Sequence, residues 1–271
     1  MLTNPRSTSA TLAETCGRGG TPQYRSYEPE SPKLMDVYSK YFDVVRADTP
    51  ELAREAFRLR YQVYCVENAF ENPDEHPDGL ETDEFDSHSV QSLLIHRASG
   101  MVAGCVRLIL PEPNMPGRGL PLFSLCRDPR LAGDQFLPAR STAEISRFAI
   151  SKAFRRRAED ANGGAAIPAL PRAEERRVIP HITLGLMKAV AWMSHEHGIT
   201  HLCAVMEPAL LRLISRFGLF FTPLGPLVSY HGQRQPCFAP VESLGEGVRN
   251  HRPDALELIT EAGRYYSPIA R

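Results

Sequence analysis

The sequence predicts a mixed α/β domain with one central twisted sheet and helices on both of its faces. Three observations carry this expectation. Two apolar runs, QSLLIHRA (91–98) and MVAGCVRLILP (101–111), flank a Ser99-Gly100 turn and read as an antiparallel hairpin. A strand–helix–strand passage over 144–206 favours parallel pairing of its two strands. An amphipathic helix follows a short strand near the start of the ordered region.

Residues 1–38 are rich in Ser, Thr, Gly, Pro and charge and are expected to form a flexible N-terminal extension. Order is expected to begin at YFDVVRA (41–47), a strand. Thr49 is a natural N-cap, with Pro50 at the first helical position and Glu51 in the first turn. The helix is expected to run through LAREAFRLRYQVYCV. Leu52, Ala56, Leu59 and Val63 mark its buried face, and Arg60 and Tyr64 share a neighbouring stripe. A loop with Pro73, Pro77 and Gly79 leads to ETDEFD and the hairpin. After the Pro- and Gly-rich segment 111–121 comes a strand over 143–151. The basic run Lys152–Arg157 precedes an expected loop insertion at about 158–178. A helix is predicted from His181 to His197, closed by Gly198, then a strand over 199–206. A helix from Pro208 to Phe217, capped by Gly218, and strands in FFTPL and PLVSYHG complete the expected domain at 39–245. Residues 246–271 are left as a C-terminal segment.

The 271 residues are 42% hydrophobic and 23% charged, with a formal net charge of −1, which gives no basis for bulk binding to nucleic acid. No apolar run is long enough to span a bilayer, and the N-terminus has no secretory core, so a cytoplasmic location is expected. The six cysteines form no C-x-x-C pair and are expected to be reduced core thiols. His195 and His197 are two residues apart, so a helix turns them to different faces, and no metal site is expected.

The informative residues are charges in apolar or constrained settings. Glu144 and Arg147 lie three apart in AEISRFAI, Arg107 interrupts VRLIL, Arg60 sits on a helix, and Asp83 and Asp86 lie in ETDEFD. Buried charges must be paired, so these are expected to form one network beside an active site.

With these residues in order, the segment from about 41 to 240 resembles the autoinducer synthases that make acyl-homoserine lactones. They are a branch of the GCN5-related N-acyltransferase (GNAT) superfamily. The resemblance rests on Arg60 followed by an aromatic at Tyr64, on Phe70 where that family has Trp, and on the paired Asp83 and Asp86. It rests also on Arg107, the E-x-x-R strand of Glu144 and Arg147, and the downstream runs TLGLMKAVAWMSHEHGITHLCAV and LLRLISRFGL. The chain is also similar to long-chain N-acyl amino acid synthases and to acyltransferases associated with exosortase systems. Phe70, the long N-terminal extension and the insertion depart from the lactone synthases.

The resemblance implies a GNAT-like single domain. It further implies transfer of a fatty acyl group from an acyl carrier protein thioester to the amino group of an amino acid or related amine. No bound cofactor is implied; acyl-carrier protein or acyl-coenzyme A thioesters would serve as co-substrate. The nearest variant is a lactone synthase using S-adenosylmethionine. A non-catalytic acyl-binding module and an acyl-coenzyme A N-acetyltransferase are the other readings.

Glu144 is the candidate general base, or with Arg147 merely a brace for the strand. Arg60, Asp83, Asp86 and Arg107 would organise the acceptor pocket, or the two aspartates would be a solvated turn. Tyr64 and Phe70 would wall that pocket or pack in the core. Oxyanion donors are expected from backbone N–H groups at splayed strands around Phe148 and Val205. Lys152, Arg155, Arg156 and Arg157, with Arg172, Arg176 and Arg177, would meet the phosphopantetheine phosphate or the acidic carrier protein, or be a solvated basic surface. Met187, Val190, Met193, Leu202 and Met206 would line an acyl tunnel or belong to the core.

Overall fold

The computed structural model describes residues 33–112, 119–154 and 181–266. The expected insertion, Cys16, and Arg155, Arg156, Arg157, Arg172, Arg176 and Arg177 lie outside these residues.

The described chain runs α1 (Leu34–Tyr41), β1 (Phe42–Arg46), α2 (Pro50–Tyr61), β2 (Ser89–His96), β3 (Val102–Ile109), α3 (Pro121–Leu125) and β4 (Thr142–Ile150). It continues with α4 (Ile182–Glu196), β5 (His201–Met206), α5 (Pro208–Ser215), β6 (Thr222–Pro223), β7 (Val228–Ser229) and β8 (Gln233–Pro240), and ends with α6 (Val241–His251) and α7 (Pro253–Thr260). Among the described residues, the strands form an eight-stranded sheet ordered β1-β2-β3-β4-β5-β8-β6, with β7 on β8. Its pairs are antiparallel except β4–β5, the parallel pair that α4 crosses over to make.

The sheet sorts its side chains by strand parity. Leu94, Val106, Leu108, Ala143 and Ile145 face α4 in the main core, whereas Leu93 and Cys105 face Ala56 and Leu59 of α2 and Val63 of the turn that follows it. Charged residues of the same parity as Cys105 therefore point to the α2 side. Thr49 caps α2 as expected, its hydroxyl accepting from the Leu52 N–H at 3.3 Å.

Three regions differ from expectation. The expected single helix over 50–66 changes to a π-helical turn at Gln62–Glu67, and such turns concentrate at functional positions. Helix α1 precedes the first strand; its Tyr38 lies against α4 where Gly185 offers no side chain, since a Cβ there would sit 2.2 Å from the Tyr38 hydroxyl. The C-terminal residues form β8, α6 and α7, and α7 buries Ala255, Leu258 and Ile259 in the main core. The described cysteines are buried and free. Among the described residues no helix is long and apolar enough to cross a membrane.

Candidate active site

Facing elements α2 and β3 each bury a guanidinium, Arg60 and Arg107, and the turn before β2 supplies their counter-charges. Asp83 and Asp86 first fix that turn. Asp83 accepts from the Phe85 N–H at 3.0 Å, and Asp86 accepts from the Asp83 N–H at 2.8 Å, a reciprocal capping box on a short 3₁₀ helix. Arg60 then donates a fork to Asp86 (2.6 and 3.1 Å) and donates to Glu81. Arg107 donates a fork to Asp83, a further bond to Asp86 at 2.8 Å, and one to the Ser146 hydroxyl at 2.9 Å. The aspartates are thus mostly buried acceptors rather than a solvated turn.

Arg147 enters the network through a backbone irregularity. On a regular strand it would share the face of Ile145 and point towards α4. The β3–β4 register shifts between Cys105 and Arg107, and Arg147 adopts φ 46°, so the strand bulges and the side chain swings to the α2 side. There it donates to Glu81 (2.8 Å) and Glu71 (3.2 Å), lies 3.1 Å from Asp83, and stacks over Tyr64 at 5.2 Å. Glu81 is therefore the hub between Arg60 and Arg147. Burial alone would raise its carboxyl, but the hydrogen bonds and charges of the two arginines outweigh that and hold it at about 2.

Glu144 has a different setting. It is 2% exposed, and its Oε2 accepts a single bond from the Leu122 N–H at 2.8 Å, at the start of α3. Burial pushes its pKa up to about 7, against the smaller opposing effects of that bond and of Arg107. The alternative, a Glu144–Arg147 brace, does not form: Arg147 is held by Glu81, Glu71 and Asp83 instead.

These two settings meet at a cleft. Pairing of β4 with β5 ends at Ile145–Ala204, while β4 continues to Ile150 and β5 to Met206. A cavity of about 330 Å³ occupies the resulting splay. Of the residues singled out from sequence, Glu144, Tyr64, Phe70, Asp83, Arg107, Arg147, Phe148, Val205 and Met206 line it; Arg60 and Asp86 stand behind it and brace the lining arginines.

Residues 59–161 match the family described as acetyltransferase (GNAT) domain. The fold is GNAT-like. Similar solved structures include TofI in a ternary complex with an inhibitor and MTA, 21% identical, with a TM-score of 0.52 over 80% of this chain and 97% of that one. FeeM, an N-acyl amino acid synthase from uncultured soil microbes, is 15% identical, with a TM-score of 0.50 over 78% and 97% of the two chains. The AHL synthase LasI is 20% identical, with a TM-score of 0.49 over 76% and 95%. No curated protein matches the sequence.

Other expected residues of the GNAT-like domain fall elsewhere. Lys152 is exposed and outside the cavity lining; its backbone N–H donates to Glu67 at 3.3 Å. Met187 lines both the cleft and a second, apolar pocket that Val190 and Leu202 share, whereas Met193 is plain core. The sequence reading passed over Glu81, Glu71 and the β7–β8 hairpin, whose Tyr230, His231 and Arg234 close one side of the cleft. The one signal bearing on Glu81 was arithmetic: three buried guanidiniums require more than two aspartates, which calls for a further acid without saying which.

Proposed function

We propose that this chain is an N-acyltransferase that moves a fatty acyl group from an acyl carrier protein thioester to the amino group of an amino acid or related amine. The observation that carries this reading is Glu144: a lone buried carboxylate with a pKa of about 7, lining a cleft formed where two parallel strands part. A carboxylate at an ordinary pKa is a poor acceptor for an ammonium proton, whereas one near neutrality is matched to the task.

In this reading the acceptor enters as an ammonium and loses a proton to Glu144, directly or through a water. The amine nitrogen attacks the thioester carbonyl, and the oxyanion is met by backbone N–H groups at the splay around Phe148 and Val205. Collapse forms the amide, breaks the C–S bond and expels the phosphopantetheine thiolate, which takes up the second proton that the nitrogen sheds. Tyr64 and Phe70 wall the acceptor. Arg60, Asp83, Asp86, Arg107 and Arg147 keep that wall rigid, so that the acceptor is held at attack distance. Lys152 and the basic residues that follow it are the proposed contact for the carrier protein, which would act in the cytoplasm.

The test is to incubate the purified protein with acyl carrier protein thioesters and a panel of amines, and to follow free thiol and product mass. Amine-dependent thiol release that Glu144→Gln abolishes without loss of fold supports the reading. Tight acyl-chain binding with no turnover across the panel would replace it with a binding module. A lactone product from S-adenosylmethionine would identify the lactone-synthase variant, and turnover with acetyl-coenzyme A alone an N-acetyltransferase.

A further inference from the structure

Among the described residues, the cleft holds one guanidinium that the charge network does not claim. Arg107 and Arg147 each face several mostly buried carboxylates, and displacing any of them would strand a buried charge. Arg234, at the start of β8, also lines the cleft, but among the described residues its ionic partner is Glu207, at 3.1 Å. The side chains are 14% and 60% exposed, so the guanidinium is mostly buried and its carboxylate partner is mostly in solvent. Glu207 also makes no side-chain cap to α5, and its carboxylate can leave without uncovering a helix end. Glu207 stays in water on most of its surface, so another carboxylate can take its place on the guanidinium without stranding a buried acid.

Position supports a binding role. Gln235 pairs with Met206, the last residue of β5, so Arg234 stands at the open end of the strand splay. Its guanidinium lies over the Phe70 ring at 5.4 Å, which fixes the plane that it presents. In the network, three arginines (Arg60, Arg107, Arg147) meet four carboxylates (Glu71, Glu81, Asp83, Asp86), so the arginines alone leave one negative charge in excess, and Glu71 also has the His231 ring nitrogen 3.4 Å away. One side thus favours a cation, and the other holds a replaceable counter-ion.

We propose that Arg234 receives a carboxylate of the acceptor, with Glu207 holding the guanidinium until the acceptor displaces it. The acceptor is then an amine that carries a carboxylate, its ammonium towards Asp83 and its carboxylate on Arg234. This rests on the acyl-transfer reading for the identity of the ligand as acceptor.

Two measurements on the full chain test it. In the first, the common L-amino acids, each with its carboxamide and decarboxylated amine, are titrated calorimetrically against wild-type protein, Arg234→Gln and Glu207→Gln. In the second, the same panel is assayed with an acyl carrier protein thioester. Wild-type protein is expected to prefer a free acid over its carboxamide by about 10–100-fold, as suits a charge-assisted fork. Arg234→Gln is expected to bring that ratio towards one, and Glu207→Gln, which keeps Arg234 and removes its competitor, to tighten the free acid a few-fold, by about 2–5. An acid-to-amide ratio unchanged in Arg234→Gln overturns the proposal, as does binding of no panel member. Arg234-dependent binding of free acids without turnover keeps the carboxylate site and defeats the acyl-transfer reading instead.

Discussion

Glu81, in the loop before the Asp83–Asp86 turn, and Glu144, on β4, are both buried carboxylates, 1% and 2% exposed, and their proton affinities are far apart. Glu81 meets two guanidiniums and sits at about 2; Glu144 meets one backbone N–H and a more distant guanidinium and sits at about 7. Burial is therefore not what decides their roles. The number of positive charges within bonding reach is, and it separates a carboxylate that holds structure from one that can exchange a proton near neutral pH.

The sharpest way to break this comparison is to neutralise each carboxylate while keeping its shape. Glu144→Gln is expected to lower kcat/KM by about 100- to 10,000-fold, the range for loss of a general base, in the acyl carrier protein assay. Its urea midpoint at pH 7 should fall little or rise, because Gln still accepts from Leu122 and no buried charge is stranded. A variant that kept wild-type turnover would remove Glu144 from the chemistry.

Glu81→Gln should do the reverse and act on the fold. It leaves Arg60 and Arg147 facing a neutral amide inside the protein, and breaking a buried ion pair in this way costs about 3–5 kcal/mol. Urea or thermal unfolding would show it. A loss below about 1 kcal/mol would mean that the network is no tighter than a surface pair.

The two carboxylates also predict opposite pH limbs. Glu81 has a folded value below the ordinary 4.5, so its stabilisation is complete above pH 4.5 and is lost as pH falls through about 2. Glu144 has a folded value above 4.5, so the native state keeps a proton that the unfolded chain releases, and stability falls as pH rises from 4.5 through about 7. Each limb spans about 2.5 pH units, or roughly 3 kcal/mol at the upper bound. Urea midpoints from pH 3 to 8 should therefore lose the upper limb in Glu144→Gln and the lower one in Glu81→Gln. A Glu144→Gln profile parallel to wild type above pH 5 would place its carboxyl at an ordinary pKa.

The comparison also marks what the sequence makes legible. The hairpin, the α4 crossover and the β4–β5 pair were readable because apolar periodicity and the Ser99-Gly100 turn are local signals. Arg60, Arg107 and the two aspartates were readable as charges in the wrong surroundings. Glu81 was not, since ETDEFD offers four acids and the choice among them depends on guanidiniums 21 and 66 residues away. The bulge at Arg147 was equally hidden: nothing in SRFA announces a positive φ, which the ion pairs and the Tyr64 stack offset. Helices α6 and α7 went unseen because their apolar positions gain meaning only against the core that α4 builds.

The smallest expected effect is the most discriminating. If Glu81 and Glu144 belong to separate electrostatic regions, Glu81→Gln and Glu144→Gln should add in a double-mutant cycle to within about 0.5 kcal/mol in unfolding free energy. Their partners are distinct: Arg60 and Arg147 for Glu81, the Leu122 N–H for Glu144. Among the described residues Arg107 links them, since its charge acts on Glu144 while it holds Asp83 by a fork and Asp86 by a further bond. A coupling above about 1 kcal/mol would mean that losing Glu81 lets Arg107 or Arg147 move towards Glu144. The same movement would pull the Glu144 carboxyl down from about 7, so the cycle should be run beside the pH dependence of turnover. An additive cycle with an unshifted acidic limb is the outcome that two independent regions require.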